Sequence, residues 1–114
     1  MKFRVSGIAA VILMGTGTAG VADEAAVAAG EAVFKKCKAC HLYNKEKNRV
    51  GPHLVGIVGR KAGAIEGYKY SKSLKKMAEE GGLVWDDANL DKYLESPRKF
   101  IKRGKMAFAG LKKP

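Results

Sequence analysis

Cys37, Cys40 and His41 stand together in the run Cys37-Lys38-Ala39-Cys40-His41. Two thiols three positions apart, followed at once by an imidazole, form the attachment pattern of a c-type haem. The spacing has a chemical reason. Each thiol can add to one vinyl group of the porphyrin and so form a thioether. Two intervening residues on a helical turn bring both sulfurs to one edge of the ring. His41 then lies beneath the iron and can supply an imidazole nitrogen as an axial ligand, and a Met on the opposite side raises the reduction potential. Other chemistries use Cys-x-x-Cys: a disulfide, a thioredoxin-like redox pair, or half of a zinc site. Zinc needs about four ligands, and beyond carboxylates only Cys37, Cys40, His41 and His53 are on offer. A thioredoxin-like pair needs a βαβ setting, and no strong strand pattern lies nearby.

A second axial ligand would come from a methionine. Met1 and Met14 fall in the N-terminal segment, and Met77 lies in the charged run Lys75-Lys76-Met77-Ala78-Glu79. Met106 sits among small residues in Lys105-Met106-Ala107-Phe108-Ala109-Gly110. A thioether in such a loop can approach the iron without steric conflict, so Met106 is favoured over Met77. The ordinary role of a Met is to fill gaps in a core.

The N-terminus indicates a compartment. Lys2 and Arg4 precede an apolar stretch from Ile8 to Met14, and Gly20-Val21-Ala22 offers the small residues of a cleavage site. This pattern predicts a secretory signal peptide over residues 1–22 and an exported, soluble, periplasmic protein. The apolar stretch is well short of the ~20 residues of a membrane span. Residues 23–114 then form one small domain of 92 residues, a length that buries only a modest core and would gain from a covalently held apolar group. Without Lys2 and Arg4 the domain carries 20 basic and 11 acidic residues, a net charge of +9. Such a surface steers association with acidic partners in a salt-dependent way. Export and the lack of any nucleic-acid-binding motif argue against a nucleic-acid partner.

The elements that must position these residues read as helices joined by Gly-rich loops. Residues 22–29 are Ala-rich and expected to start loosely. A helix is expected over Gly30–His41, with Gly30, Val33, Phe34 and Cys37 on one face. Leu42–Gly67 is punctuated by Gly51, Gly56, Gly59, Gly63 and Gly67 and reads as loops. A short helix is expected over Ser71–Glu80, capped by Ser71 or Ser73 and stopped at Gly81-Gly82. Another is expected over Ala88–Leu94, capped by Asp86 or Asp87. Pro97 breaks it and opens a turn of helix through Ile101. Residues 102–114 read as loop.

Several fragments, in order over residues 30–113, resemble the class I cytochromes c of the bacterial cytochrome c2 type, which are similar to mitochondrial cytochrome c. They are Gly30-Glu31-Ala32-Val33-Phe34-Lys35-Lys36-Cys37, Gly51-Pro52-His53-Leu54, Gly56-Ile57-Val58-Gly59-Arg60-Lys61-Ala62-Gly63, Gly67-Tyr68-Lys69-Tyr70-Ser71, Trp85, Tyr93-Leu94-Glu95-Ser96-Pro97 and Lys105-Met106-Ala107-Phe108-Ala109-Gly110. The resemblance implies an all-α class I cytochrome c fold wrapped around one haem c. Cys37 and Cys40 would carry the thioethers, and His41 and Met106 would be the axial ligands. The Pro52 carbonyl would orient His41, as the outer partners of metal ligands do. Arg60, Tyr70 and Trp85 would meet the buried haem propionates, which need donors once out of water. Tyr93 would lie near the Met106 sulfur and Phe108 at the haem edge, with Phe34, Leu54, Leu90 and Leu94 lining the pocket. His53 stands where the family more often has Asn, with little effect expected. The chain stops at Pro114, where the family's C-terminal helix begins. The resemblance implies that this helix is missing, so that the sequence is partial, the protein is truncated, or something else covers Phe34, and that residues 23–114 are unstable or partly open unless completed.

The function implied is single-electron transfer by a monomeric, non-enzymatic carrier. Its haem edge would be ringed by Lys36, Lys38, Lys99, Lys102 and Lys105. Donors and acceptors would present acidic surfaces: a quinol-oxidising complex or dehydrogenase on one side, an oxidase, reaction centre or peroxidase on the other. The alternative is a haem peroxidase-like or gas-binding protein with an open or labile sixth site, which requires Met106 to be displaced.

Overall fold

The computed structural model describes residues 23–113; the expected signal peptide over residues 1–22 lies outside them. Four helices among the described residues are set by local signals. Helix α1 runs Glu24–Phe34, and the Asp23 side chain caps it by accepting the N–H of Ala25. Ala-rich sequence favours helix, and an acidic residue in the first turn suits the helix dipole. The loose start expected over 22–29 is therefore corrected to helix from Glu24 onward, residue 22 lying outside the described residues. The far boundary is corrected too: α1 ends at Phe34, and Lys35–Cys40 are turns.

Helix α2 spans Lys72–Gly81, with the Ser71 side chain accepting the N–H of Leu74. It ends at Gly82, whose φ of 62° is the left-handed conformation that glycine adopts without penalty. Helix α3 spans Asp87–Glu95 behind the N-cap Asp86. Helix α4 spans Pro97–Phe100, with Pro at its first position and Ser96 shared as the cap of both helices.

The loops expected over 42–67 hide one regular pairing. Strand β1 (Arg60–Lys61) pairs antiparallel with β2 (Val84–Trp85), in the register Arg60 with Trp85 and Lys61 with Val84. Two residues per strand leave no periodicity to detect. The pairing matters because it sets Arg60 beside Trp85. The core lies around it: Ala62, Ala78, Leu83, Trp85 and Ile101 are buried, and Leu74, Met77, Leu90, Tyr93 and Phe100 pack against them. Helix α3 packs on β2 and on α4. Among the described residues no helix is long and apolar enough to cross a membrane.

Candidate haem site

The attachment run is one helical turn set off from α1. Cys37 N–H bonds the Phe34 carbonyl at 2.7 Å, and both Cys40 and His41 donate to the Cys37 carbonyl, at 3.0 and 2.9 Å. Both thiols are free and half-buried. Burial pushes the Cys37 thiol up, helped by the neighbouring Cys40 and opposed by Lys36.

Residues 49–54 are stitched against this turn. Gly51 donates to the Cys40 carbonyl at 2.9 Å and Leu54 to the Leu42 carbonyl at 2.7 Å, while Arg49 Nη1 donates to the Lys38 carbonyl at 3.0 Å. This brings Pro52 to His41: the imidazole Nδ1–H donates to the Pro52 carbonyl at 2.7 Å. A carbonyl can only accept, so the tautomer is fixed and Nε2 is the nitrogen free to bind a metal. The ring lies directly on Gly51. A Cβ there would come within 2.7 Å of Nδ1 and 2.9 Å of Nε2, so only glycine lets the loop approach this closely.

Arg60 is half-buried. Its Nη1 donates to the carbonyls of His53 (3.0 Å) and Val55 (3.2 Å). Burial pulls the guanidinium's pKa down, and nearby Tyr70 partly offsets this. Tyr70 is buried, and its hydroxyl accepts the N–H of Ile65 at 3.1 Å. Its ring meets Tyr68 edge-on at 4.8 Å, and the Tyr68 hydroxyl donates to the Val50 carbonyl. Trp85 is buried and lies 4.9 Å, centroid to centroid, from Tyr93.

The Tyr93 hydroxyl reaches the Met106 sulfur at 3.6 Å. Burial raises the phenol's pKa, with a smaller contribution from Tyr68. The Met106 loop is tied at both ends. Lys105 Nζ donates to the Lys69 carbonyl and sits 5.9 Å from the Tyr68 ring centroid; Leu111 N–H bonds the Leu94 carbonyl at 2.7 Å. Met77 instead packs against the core. Phe108 is half-buried, and Lys36, Lys38, Lys99, Lys102 and Lys105 are all exposed. Three residues in this network had no assigned part in the sequence reading: Asn48, His53 and Tyr68. Tyr68 lies within the Gly67-Tyr68-Lys69-Tyr70-Ser71 fragment. Asn48, whose side chain accepts the His53 N–H at 3.0 Å, carries no signal in its sequence neighbourhood.

These residues fit a covalently attached haem: two half-buried thiols on one turn, a tautomer-fixed imidazole against a glycine made for it, and a half-buried thioether. They do not assemble a zinc site, since no group of three or more His, Cys, Asp or Glu suited to a metal ion occurs among the described residues.

The sequence model of the cytochrome c family matches residues 27–107. The chain is 49% identical over 89 residues to cytochrome c2 of Afifella marina, covering 77% of this chain and 71% of that one. It is 50% identical over 92 residues to cytochrome c2 of Agrobacterium tumefaciens, covering 80% and 82%. Among solved structures it is similar to cytochrome cH from Methylobacterium extorquens, with a TM-score of 0.68, 46% identity, and coverage of 76% of this chain and 84% of that one. The mostly helical architecture with its small sheet is the class I arrangement. An imidazole and two thiols presented from one turn, in a chain half identical to haem-carrying relatives, thus belong to a member of the cytochrome c family: a class I electron carrier of the bacterial cytochrome c2 type, with one covalent haem c.

Proposed function

We propose that this chain carries single electrons in the periplasm with its haem iron held between His41 and Met106. The observation that carries this reading is the Tyr93–Met106 contact at 3.6 Å. The half-buried Tyr93 phenol holds the thioether, while the Pro52 carbonyl holds the imidazole. Bound haem c supplies an iron that changes between the ferric and ferrous states. Cys37 and Cys40 would anchor it by thioethers. His41 and Met106 would hold the iron through an imidazole nitrogen and a thioether sulfur, so that electron transfer would need no ligand to bind or leave. Arg60, Tyr70 and Trp85 would receive the propionates, where a cation and donors offset the cost of burying carboxylates. Phe108 would close the exposed edge.

The ring of Lys36, Lys38, Lys99, Lys102 and Lys105 would favour short-lived docking on acidic redox partners. A quinol-oxidising complex or dehydrogenase would give the electron, and an oxidase, reaction centre or peroxidase would take it. Residues 1–22 would direct export, and the secreted chain would begin at Asp23 and act as a monomer; mass spectrometry of the periplasmic fraction would read that N-terminus. The optical spectrum tests the ligation. The oxidised protein should show a weak long-wavelength sulfur-to-iron band, and its reduced form should not take up carbon monoxide. Met106→Ala should lose the band and admit carbon monoxide, whereas Met77→Ala should keep the band. Ready uptake of carbon monoxide by the unaltered protein would favour a gas-binding or peroxidase-like haem protein instead.

A further inference from the structure

His53 is 8% exposed, and the proposed function gives it no part. Its contacts say otherwise. The ring Nδ1 accepts the N–H of Val55, two residues on, at 3.2 Å. Its backbone N–H donates to Asn48 Oδ1 at 3.0 Å. Its carbonyl accepts Arg60 Nη1 at 3.0 Å, and the same Nη1 reaches the Val55 carbonyl at 3.2 Å. A side-chain acceptor for the N–H two residues ahead is the device by which Asn or Asp builds an Asx-turn, and here an imidazole performs it. The Leu54–Val55 peptide that it holds lies between the two carbonyls that bind Arg60. Fixing that peptide fixes the angle at which both carbonyls converge on one guanidinium nitrogen. Both donors of Nη1 are thereby used, and Arg60 keeps Nε and Nη2 for other acceptors.

We infer that His53 is a positioning residue for Arg60: its ring nitrogen holds the 53–55 turn that aims the guanidinium at the haem carboxylates. This rests on the proposed role of Arg60. A cation held near the haem favours the reduced, less positive state by Coulomb attraction, so a loosened Arg60 lowers the reduction potential. The requirement is for an acceptor at this position, not for an imidazole.

The test is a mutant cycle on the haem-attached protein, with two readouts: the reduction potential and hydrogen exchange at the Val55 amide. Arg60→Gln should lower the potential. His53→Leu, which removes the acceptor, should lower it in the same direction and speed Val55 exchange by about tenfold or more, as expected when a protecting bond is lost. His53→Asn, which keeps a side-chain acceptor, should restore both readouts to the parent values. In the Arg60→Gln background His53→Leu should shift the potential no further. If His53→Leu fails to retain haem, His53→Asn decides: a lowered potential or an unprotected Val55 amide overturns the inference. It is also overturned if His53→Leu leaves the potential unchanged while Arg60→Gln lowers it, or if the two shifts add. A potential untouched by Arg60→Gln removes the role of Arg60, and that of His53 with it.

Discussion

From Ile57 to Ile101 the chain buries apolar side chains against one another, around Ala62, Ala78, Leu83 and Trp85. From Glu24 to Val50 no residue is buried. That part is held by backbone hydrogen bonds through the Cys37–His41 turn and by one edge-on aromatic pair, Phe34 with Tyr43 at 5.0 Å. A cleft of about 640 Å³ opens beside α1, with Phe34, Lys38, His41, Tyr43 and Arg49 on its walls. The two regions therefore depend on different things. Side-chain packing sustains the first, so substitutions in its apolar core should read out as stability. The second spends its residues on holding chemistry, so substitutions there should read out in the cofactor.

The largest expected effect is chemical. Replacing Cys37 and Cys40 together by Ser should abolish covalent attachment, so that no haem stays with the chain on a denaturing gel. Next comes Trp85→Ala, which should cost about 3–5 kcal/mol, as for other large-to-small core changes. Phe34→Ala should cost about 1 kcal/mol, the range of a single aromatic pair. Denaturant melts of the haem-attached forms measure both, and equal losses would erase the contrast between the regions. Gly51→Ala tests the boundary. The added methyl overlaps the His41 ring, and overpacking of this kind costs about 1–3 kcal/mol. The loss should appear with an altered iron spectrum; a melt shifted with an unchanged spectrum would make Gly51 part of the packed region instead.

A smaller effect is expected at Tyr93→Phe, about 0.5–1.5 kcal/mol for one hydrogen bond. Its signature is pH dependence. The Tyr93 phenol is raised in the folded state, so the folded chain holds its proton longer than the unfolded one. The resulting stability is fully present below the unfolded value, near 10, and is lost as pH rises through the folded value. An alkaline stability titration should therefore be flatter in the Phe variant. Smallest in stability is Lys36→Gln with Lys38→Gln, within about 0.5 kcal/mol for such surface changes. These should nevertheless make the electron-transfer rate with an acidic partner less salt-sensitive. An unchanged salt slope would take the docking face away from the attachment turn.

The same contrast explains what could be read from sequence. Helices α2, α3 and α4 are bounded by local chemistry: Ser71, Gly82, Asp86 and Pro97 each act on neighbours within four residues, and each was a candidate boundary. The start of helix α1 is not legible in the sequence because its Ala-rich stretch lacks an apolar stripe, and a stripe is what periodicity detects. The capping role of Asp23 depends on where the helix begins. The β1–β2 pairing and the His53 turn depend on residues up to 25 positions apart or on a side-chain rotamer, and neither leaves a mark on spacing. Met106 was favoured from the small residues around it. Its contact with Tyr93 joins positions 13 apart and was an implication of the resemblance, not of any local pattern.

The two rungs that join Arg60 to Trp85 and Lys61 to Val84 have an evolutionary consequence. They close the base of an excursion that holds α2. Closing a flexible loop costs only about 0.6 kcal/mol more for each doubling of its length. Descendants of this sequence can therefore gain or lose residues within the excursion while Arg60 and Trp85 keep their alignment. Length variation in the lineage should collect there, and the 49–54 segment, pressed against an imidazole ring, should admit almost none.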